Sequence, residues 1–233
     1  DEVFGGYPWF HREEMLNSGT FPWTPSLTPR KVLLKDDLVK SLHMDEYVKK
    51  IYDRSVSEIN VLPSENEIET NRRRIGYLNI RFFMQTLLNR MDRTSMFSGL
   101  EARVPFADRK LVDYVFNIPW EMKAKDGLVK NILRQASKGL LPDEILFRRK
   151  SPYPKTYNPY YENLLAKRLK EVLSDSASPL HSLLDLKQVT QFLENPKDYG
   201  SPWYGQLMAG PQMIAYLLQI EYFLRKYNVS IRI

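Results

Sequence analysis

The sequence predicts a mainly α fold, and three observations carry that expectation. Apolar residues recur at spacings of three and four over most of the chain, residues that cap helices precede those runs, and almost no segment alternates apolar with polar as a half-buried strand does. Residues 32–34 and 229–233 come nearest to strands and are too short to build a sheet.

The elements follow in order. The first 35 or so residues are rich in Gly, Pro and aromatics, as in Gly5-Gly6-Tyr7-Pro8-Trp9-Phe10 and Phe21-Pro22-Trp23-Thr24-Pro25, and read as ordered loop with a short helix at 12–16. Met44, Tyr47, Val48, Ile51, Tyr52, Val56 and Ile59 then fall on one helical face. Ser64 followed by Glu67 predicts a capping box before the longest helix, whose stripe is Ile80, Phe83, Met84, Leu87, Leu88 and Met91 and which ends near Gly99. Pro105 stops the next element, and Asp108 is placed to cap a helix carrying Leu111, Val112, Val115 and Phe116. Further helices are expected over 129–137, 160–173, 187–193 and 206–226. No repeat, low-complexity tract or internal domain boundary stands out.

Composition bounds the function. The 233 residues are 43% hydrophobic and 27% charged, which is ordinary for a globular chain with a substantial core. The absence of Cys removes disulfide frameworks, thiolate zinc sites and cysteine nucleophiles from these residues, and fits a reducing, cytoplasmic setting. No apolar run reaches the roughly 20 residues of a membrane span. The best stretch, 213–224, contains Gln219 and Glu221, so no membrane partner is expected. The chain opens Asp1-Glu2 without an initiator Met or a secretory pattern, and residue 1 reads as a break in a longer chain. A net charge of +6 admits nucleic acid, nucleotide phosphates or an anionic surface, but 34 Lys and Arg interleaved with 28 acids argue against nucleic acid.

No catalytic constellation is complete in the residues alone. There is no Gly-rich phosphate loop of the common kinds, and His11, His43 and His181 lie far apart, which favours structural or surface roles over metal binding. Two stretches stand out for their charge. In Arg90-Met91-Asp92-Arg93 and Glu101-Ala102-Arg103-Val104-Pro105-Phe106-Ala107-Asp108, charged residues are threaded through apolar ones at the end of an amphipathic helix. These are either an ion-pair network fixing a chain reversal or the wall of an anion site. In 141–152 a short helix begun by Pro142 and Asp143 runs into Arg148-Arg149-Lys150. Cations there suit the helix dipole, and Lys150, at the exit into a loop, is placed to reach a phosphate.

The opening Asp-Glu-Val-Phe-Gly-Gly-Tyr, then Met91-Asp92-Arg93-Thr94-Ser95-Met96, the 99–108 segment, and Leu133-Arg134 with Leu141-Pro142 and Arg148-Arg149-Lys150 occur in an order that resembles the synthetase region of glutamine-hydrolysing asparagine synthetases. The resemblance spans about residues 1–155. It implies that 1–233 is the C-terminal helical part of an α/β ATP-pyrophosphatase-type domain whose parallel sheet and phosphate loop lie upstream. It further implies that ATP and Mg²⁺ activate the aspartate side-chain carboxylate as an acyl-adenylate, and that ammonia made from glutamine by an N-terminal glutaminase domain then displaces AMP. A homodimer is among the assemblies it admits.

On this resemblance Asp1 is similar to a Mg²⁺–pyrophosphate ligand, Glu2 follows it in the same loop, and Lys150 is similar to a lysine that offsets charge developing on the phosphates. Arg103 belongs to the cofactor-binding segment, ordering it together with Asp108. The family's Ser-Gly-Gly-x-Asp-Ser phosphate loop is absent from the 233 residues, so the chain alone is expected to be inactive. A synthetase acting on another carboxylate, β-lactam-forming or peptide-cyclising, and a basic helical binding module without catalysis are the alternatives.

Overall fold

The computed structural model describes residues 1–149, 158–195, 202–203, 206–207 and 210–231. Its main helices are α1 (Met44–Ser57), α2 (Glu67–Leu78), α3 (Gln85–Phe97), α4 (Arg109–Phe116), α5 (Asn131–Ala136), α6 (Pro159–Ser174), α7 (Leu186–Glu194) and α8 (Gly210–Lys226). The strands among the described residues are β1 (Pro202–Trp203) and β2 (Gln206–Leu207), an antiparallel pair. The mainly α expectation therefore holds. No helix among the described residues is long and apolar enough to cross a membrane.

The chain packs as two units, Asp1–Pro22 with Ile51–Pro152, and Trp23–Lys50 with Tyr153–Ile233. The sequence displayed no boundary because neither unit is contiguous: the second takes its first segment from within the span of the other.

In the first unit, Val3, Phe4, Met84 and Val115 form a buried cluster against Ile80, Leu88, Leu111 and Ile132. The opening turn is thus pinned by the long helix and by α4. Trp9, 2% exposed, stacks on Tyr7 at 4.2 Å and meets the edge of Phe83 at 5.2 Å. The long helix is one helical run from α2 to α3, but residues Asn79–Met84 between them are π-helical, which periodicity did not signal. A π segment adds a residue to a turn and turns the following stripe. Its first residue, Asn79, is fully buried.

The capping box before α2 sits two residues later than the sequence suggested. Asn66 Oδ1 accepts from the Glu69 amide at 3.0 Å, and Glu69 Oε2 accepts from the Asn66 amide at 2.9 Å. Ser64 and Glu67 satisfy the same pattern, but Glu65 is drawn into a 2.6 Å ion pair with Arg73, so the helix begins at Glu67. Asp108 caps α4 as expected, accepting from the Leu111 amide at 3.2 Å. On α1 the apolar face is only partly covered: Tyr47 is exposed, whereas Ser55 is buried and donates to the Ile51 carbonyl at 2.7 Å.

The second unit is built on Leu169, Val172, Leu180, Leu184, Val189, Phe192, Met213, Ile214 and Leu217, with Leu33 completing the cluster. Residues 32–34 form no strand; Leu34 makes a single antiparallel bridge to Leu184. Helix α8 begins at Gly210 and not at 206. Pro211, which has no amide hydrogen, is tolerated only in a first turn.

Candidate functional site

The site forms around the opening turn of the first unit. The Gly6 amide donates to the Asp1 carbonyl at 2.9 Å, closing residues 1–6 into a tight loop. Both glycines of Gly5-Gly6 are required. Gly5 has φ +67° with the Trp120 ring where a side chain would stand, and a methyl on Gly6 would overlap the Asp1 carboxylate and the Lys130 side chain. The close approach lets Lys130 Nζ reach Asp1 Oδ1 at 2.5 Å. Lys130 itself lies at the start of α5 in the left-handed region, φ +58°, which turns its side chain out of the helix. Burial lowers its pKa.

Glu2 is held at two points: Tyr7 donates its hydroxyl to Oε1 at 2.5 Å, and Asn79 Nδ2 donates to the Glu2 carbonyl at 2.9 Å. Burial, and then the hydrogen bond to Glu2, raise the Tyr7 phenol well above its ordinary pKa, so it stays a donor.

Asp1, Glu2, Arg90, Arg103 and Lys130 line one cavity of about 690 Å³, floored by Phe4, Met84 and Phe106. Of the sequence-predicted residues, Asp1, Glu2 and Arg103 are therefore brought together. Arg103 is exposed and pairs with Glu101 at 3.0 Å, a local contact rather than an extended network. Asp92 and Arg93 are exposed and do not line the cavity. Lys150 lies outside the described residues. The segment leading to it is tied to the site by Arg134, whose guanidinium donates to the carbonyls of Val129 at 2.9 Å, Arg148 at 3.3 Å and Leu146.

Sequence reasoning missed Lys130, Tyr7 and Asn79. Lys130 was one cation among 34, with no spacing to mark it. The available signal was that Asp1 and Glu2, taken as site residues, needed partners. The histidines serve locally: the His11 and His181 rings hydrogen-bond the carbonyls of Gly5 and Asp175, at 2.8 and 3.0 Å, and His43 faces Glu46 at 3.5 Å.

Two carboxylates and three cations around an apolar floor form an arrangement chemically able to take a phosphorylated ligand, cations against phosphate charge and floor against an organic group. Among the described residues no three His, Asp or Glu come together to hold a metal by themselves. Mg²⁺ that travels on phosphates needs only one or two protein carboxylates, and Asp1 supplies one, so the donor set fits a phosphate-bound Mg²⁺.

Comparison with known proteins gives the family. The asparagine synthase family model matches residues 1–225, and the chain belongs to that family. It is 49% identical over 232 residues to asparagine synthetase [glutamine-hydrolyzing] 3 of Bacillus subtilis, covering 99% of this chain and 38% of the relative. To asparagine synthetase [glutamine-hydrolyzing] 1 of the same organism it is 27% identical over 161 residues, 69% of this chain and 25% of the relative. The human asparagine synthetase [glutamine-hydrolyzing] shares 42% over 67 residues, 28% of this chain and 12% of that protein. The chain thus spans well under half the length of these relatives. No solved structure matches it.

Proposed function

We propose that this chain supplies the helical wall of an ATP-dependent ligase site that converts the aspartate side-chain carboxylate to an amide. The observation that carries the reading is the convergence of Asp1, Glu2, Arg103 and Lys130 on one cavity in a member of this family.

In this reading the aspartate carboxylate attacks the α-phosphorus of ATP and pyrophosphate leaves. Ammonia then attacks the acyl carbon of the adenylate and AMP leaves. Negative charge gathers on the leaving pyrophosphate, and fixed cations facing it lower that barrier more than any other single device. Lys130 is one such cation: its pairing with Asp1 holds the ammonium at the cavity wall. Lys150 is the second, carried over from the resemblance. Asp1 would hold the Mg²⁺, which screens phosphate charge when bound. The Tyr7 and Asn79 contacts keep Glu2 and the turn from moving as charge develops. Ammonia comes from glutamine, a reading supported by the relatives' names, and the separate domain that makes it is carried over from the resemblance. The 233 residues contain no Ser-Gly-Gly-x-Asp-Ser loop, so the chain alone forms no AMP.

The test is AMP release from ATP by the longest reading frame containing this chain, with and without aspartate, beside Asp1→Asn. Aspartate-dependent AMP that falls at least about a hundredfold in the variant is expected. AMP release that needs no aspartate, or is indifferent to Asp1, overturns the reading.

A further inference from the structure

The first unit has a second cavity, of about 200 Å³, whose lining includes Phe10, Arg72, Phe116, Trp120 and Lys123. Three cations and three carboxylates line it, but only one of the cations is paired among the described residues. Each carboxylate is committed: Glu2 to the Tyr7 hydroxyl, Glu65 to Arg73, and Glu69 to the backbone amide of Asn66. Arg73 is likewise committed, with a further bond to Asn117 Oδ1 at 3.0 Å.

Two of the cations make no direct ion pair among the described residues, although Glu69 acts on Arg72 from a longer distance. Lys123 is 9% exposed, and its ammonium makes one hydrogen bond among the described residues, to the Phe116 carbonyl at 3.2 Å. Arg72 lies 4.5 Å over the Trp120 ring and donates through Nε to the Phe10 carbonyl at 3.3 Å. Neither has a carboxylate at ion-pair distance among the described residues. A buried ammonium with two donors unmet costs stability unless an acceptor meets them. Nothing in the ligase reading uses either residue.

We propose that this cavity is a binding site for a small organic carboxylate, with Lys123 and Arg72 holding the carboxylate and Phe116 and Trp120 packing its apolar body. The aromatic lining favours a carboxylate with a hydrocarbon part over inorganic phosphate. The volume falls below the usual range for drug-sized ligands, which sets the occupant at the size of a small metabolite. Burial, and secondarily the charge of Arg73, lower the Lys123 pKa to about 8, so the ammonium is present at neutral pH and fades above it. The other charged groups lining the cavity are Arg72, Arg73, Glu2, Glu65 and Glu69, and the carboxyls of Glu2 and Glu65 are held below their ordinary pKa.

Benzoate titrated into the chain by calorimetry, with inorganic phosphate as the comparison anion, tests this. Saturable benzoate binding is expected that weakens at least about tenfold in Lys123→Gln and in Arg72→Gln. It should survive Lys130→Gln, which removes a cation of the larger cavity. In the unsubstituted chain the affinity falls as pH rises through about 8, a readout that does not depend on any variant folding. No saturable binding, binding indifferent to pH across that range, loss in Lys130→Gln instead, or phosphate bound as tightly as benzoate each overturns the proposal. The ligase reading stands or falls separately, on AMP release.

Discussion

Replacing Asn79 with alanine tests whether the opening turn is held from the π segment. The side chain is fully buried, and its Nδ2 donates to the Glu2 carbonyl at 2.9 Å, while its Oδ1 has no partner among the described residues. Alanine leaves the Glu2 carbonyl unpaired, at about 1–3 kcal/mol, and opens a small void. It also removes the unpaired Oδ1, which returns part of that cost. The net expectation is a loss of about 1–3 kcal/mol. Asn79→Asp separates packing from hydrogen bonding. It keeps the shape but turns the donor into an acceptor and buries a charge with no partner, so it costs more than alanine, at least about 3 kcal/mol. Urea unfolding followed by far-ultraviolet circular dichroism measures both. An alanine variant within about 0.5 kcal/mol of the parent, or an aspartate variant no worse than alanine, refutes the account of how the turn is fixed.

Two further predictions follow from the same unit. Gly6→Ala places a methyl against the Asp1 carboxylate and Lys130 and parts the pair, so AMP formation by the full-length protein falls at least about tenfold. Steady-state assay beside a melting curve separates this from unfolding. Lys123 makes stability depend on pH. Its pKa falls from 10.5 to about 8 on folding, so between those values the unfolded chain binds more protons, and stability rises with pH. Lys130, also lowered, adds a slope of the same sign. Tyr7, raised above 10.0, takes stability away only above that value, which leaves pH 8 to 10 as the clean window. In that window Lys123→Met flattens the rise measured by denaturant titration without added ligand.

What the sequence made legible was local. Asp108 capping α4 and the stripe running through Phe83, Met84 and Leu88 depend on neighbours three or four residues apart, and both are seen. Asp1, Glu2 and Arg103 were reached through motif order, and they line one cavity. What was hidden depends on distant pairing. Lys130 meets Asp1 across more than a hundred positions, and Asn79 meets Glu2 across 77, so no window in the sequence contains both partners. The π segment was invisible because Ile80, Phe83, Met84, Leu87, Leu88 and Met91 keep spacings of three and four through it, although the wider turn rotates the face they form. The capping box was misplaced because Ser64-x-x-Glu67 and Asn66-x-x-Glu69 both satisfy the pattern, and the Glu65–Arg73 pair decides between them.

In the proposed reading Lys130 and Asp1 face the phosphates of ATP in an aspartate-activating site. The most direct measurement is the rate of aspartate-dependent AMP formation by the full-length protein carrying Lys130→Gln, read as kcat and KM separately. The account predicts a kcat loss of about a hundredfold or more, because the lysine acts on charge that develops as pyrophosphate departs. An unchanged kcat with aspartate still required would contradict it and move the phosphate contacts elsewhere in the protein.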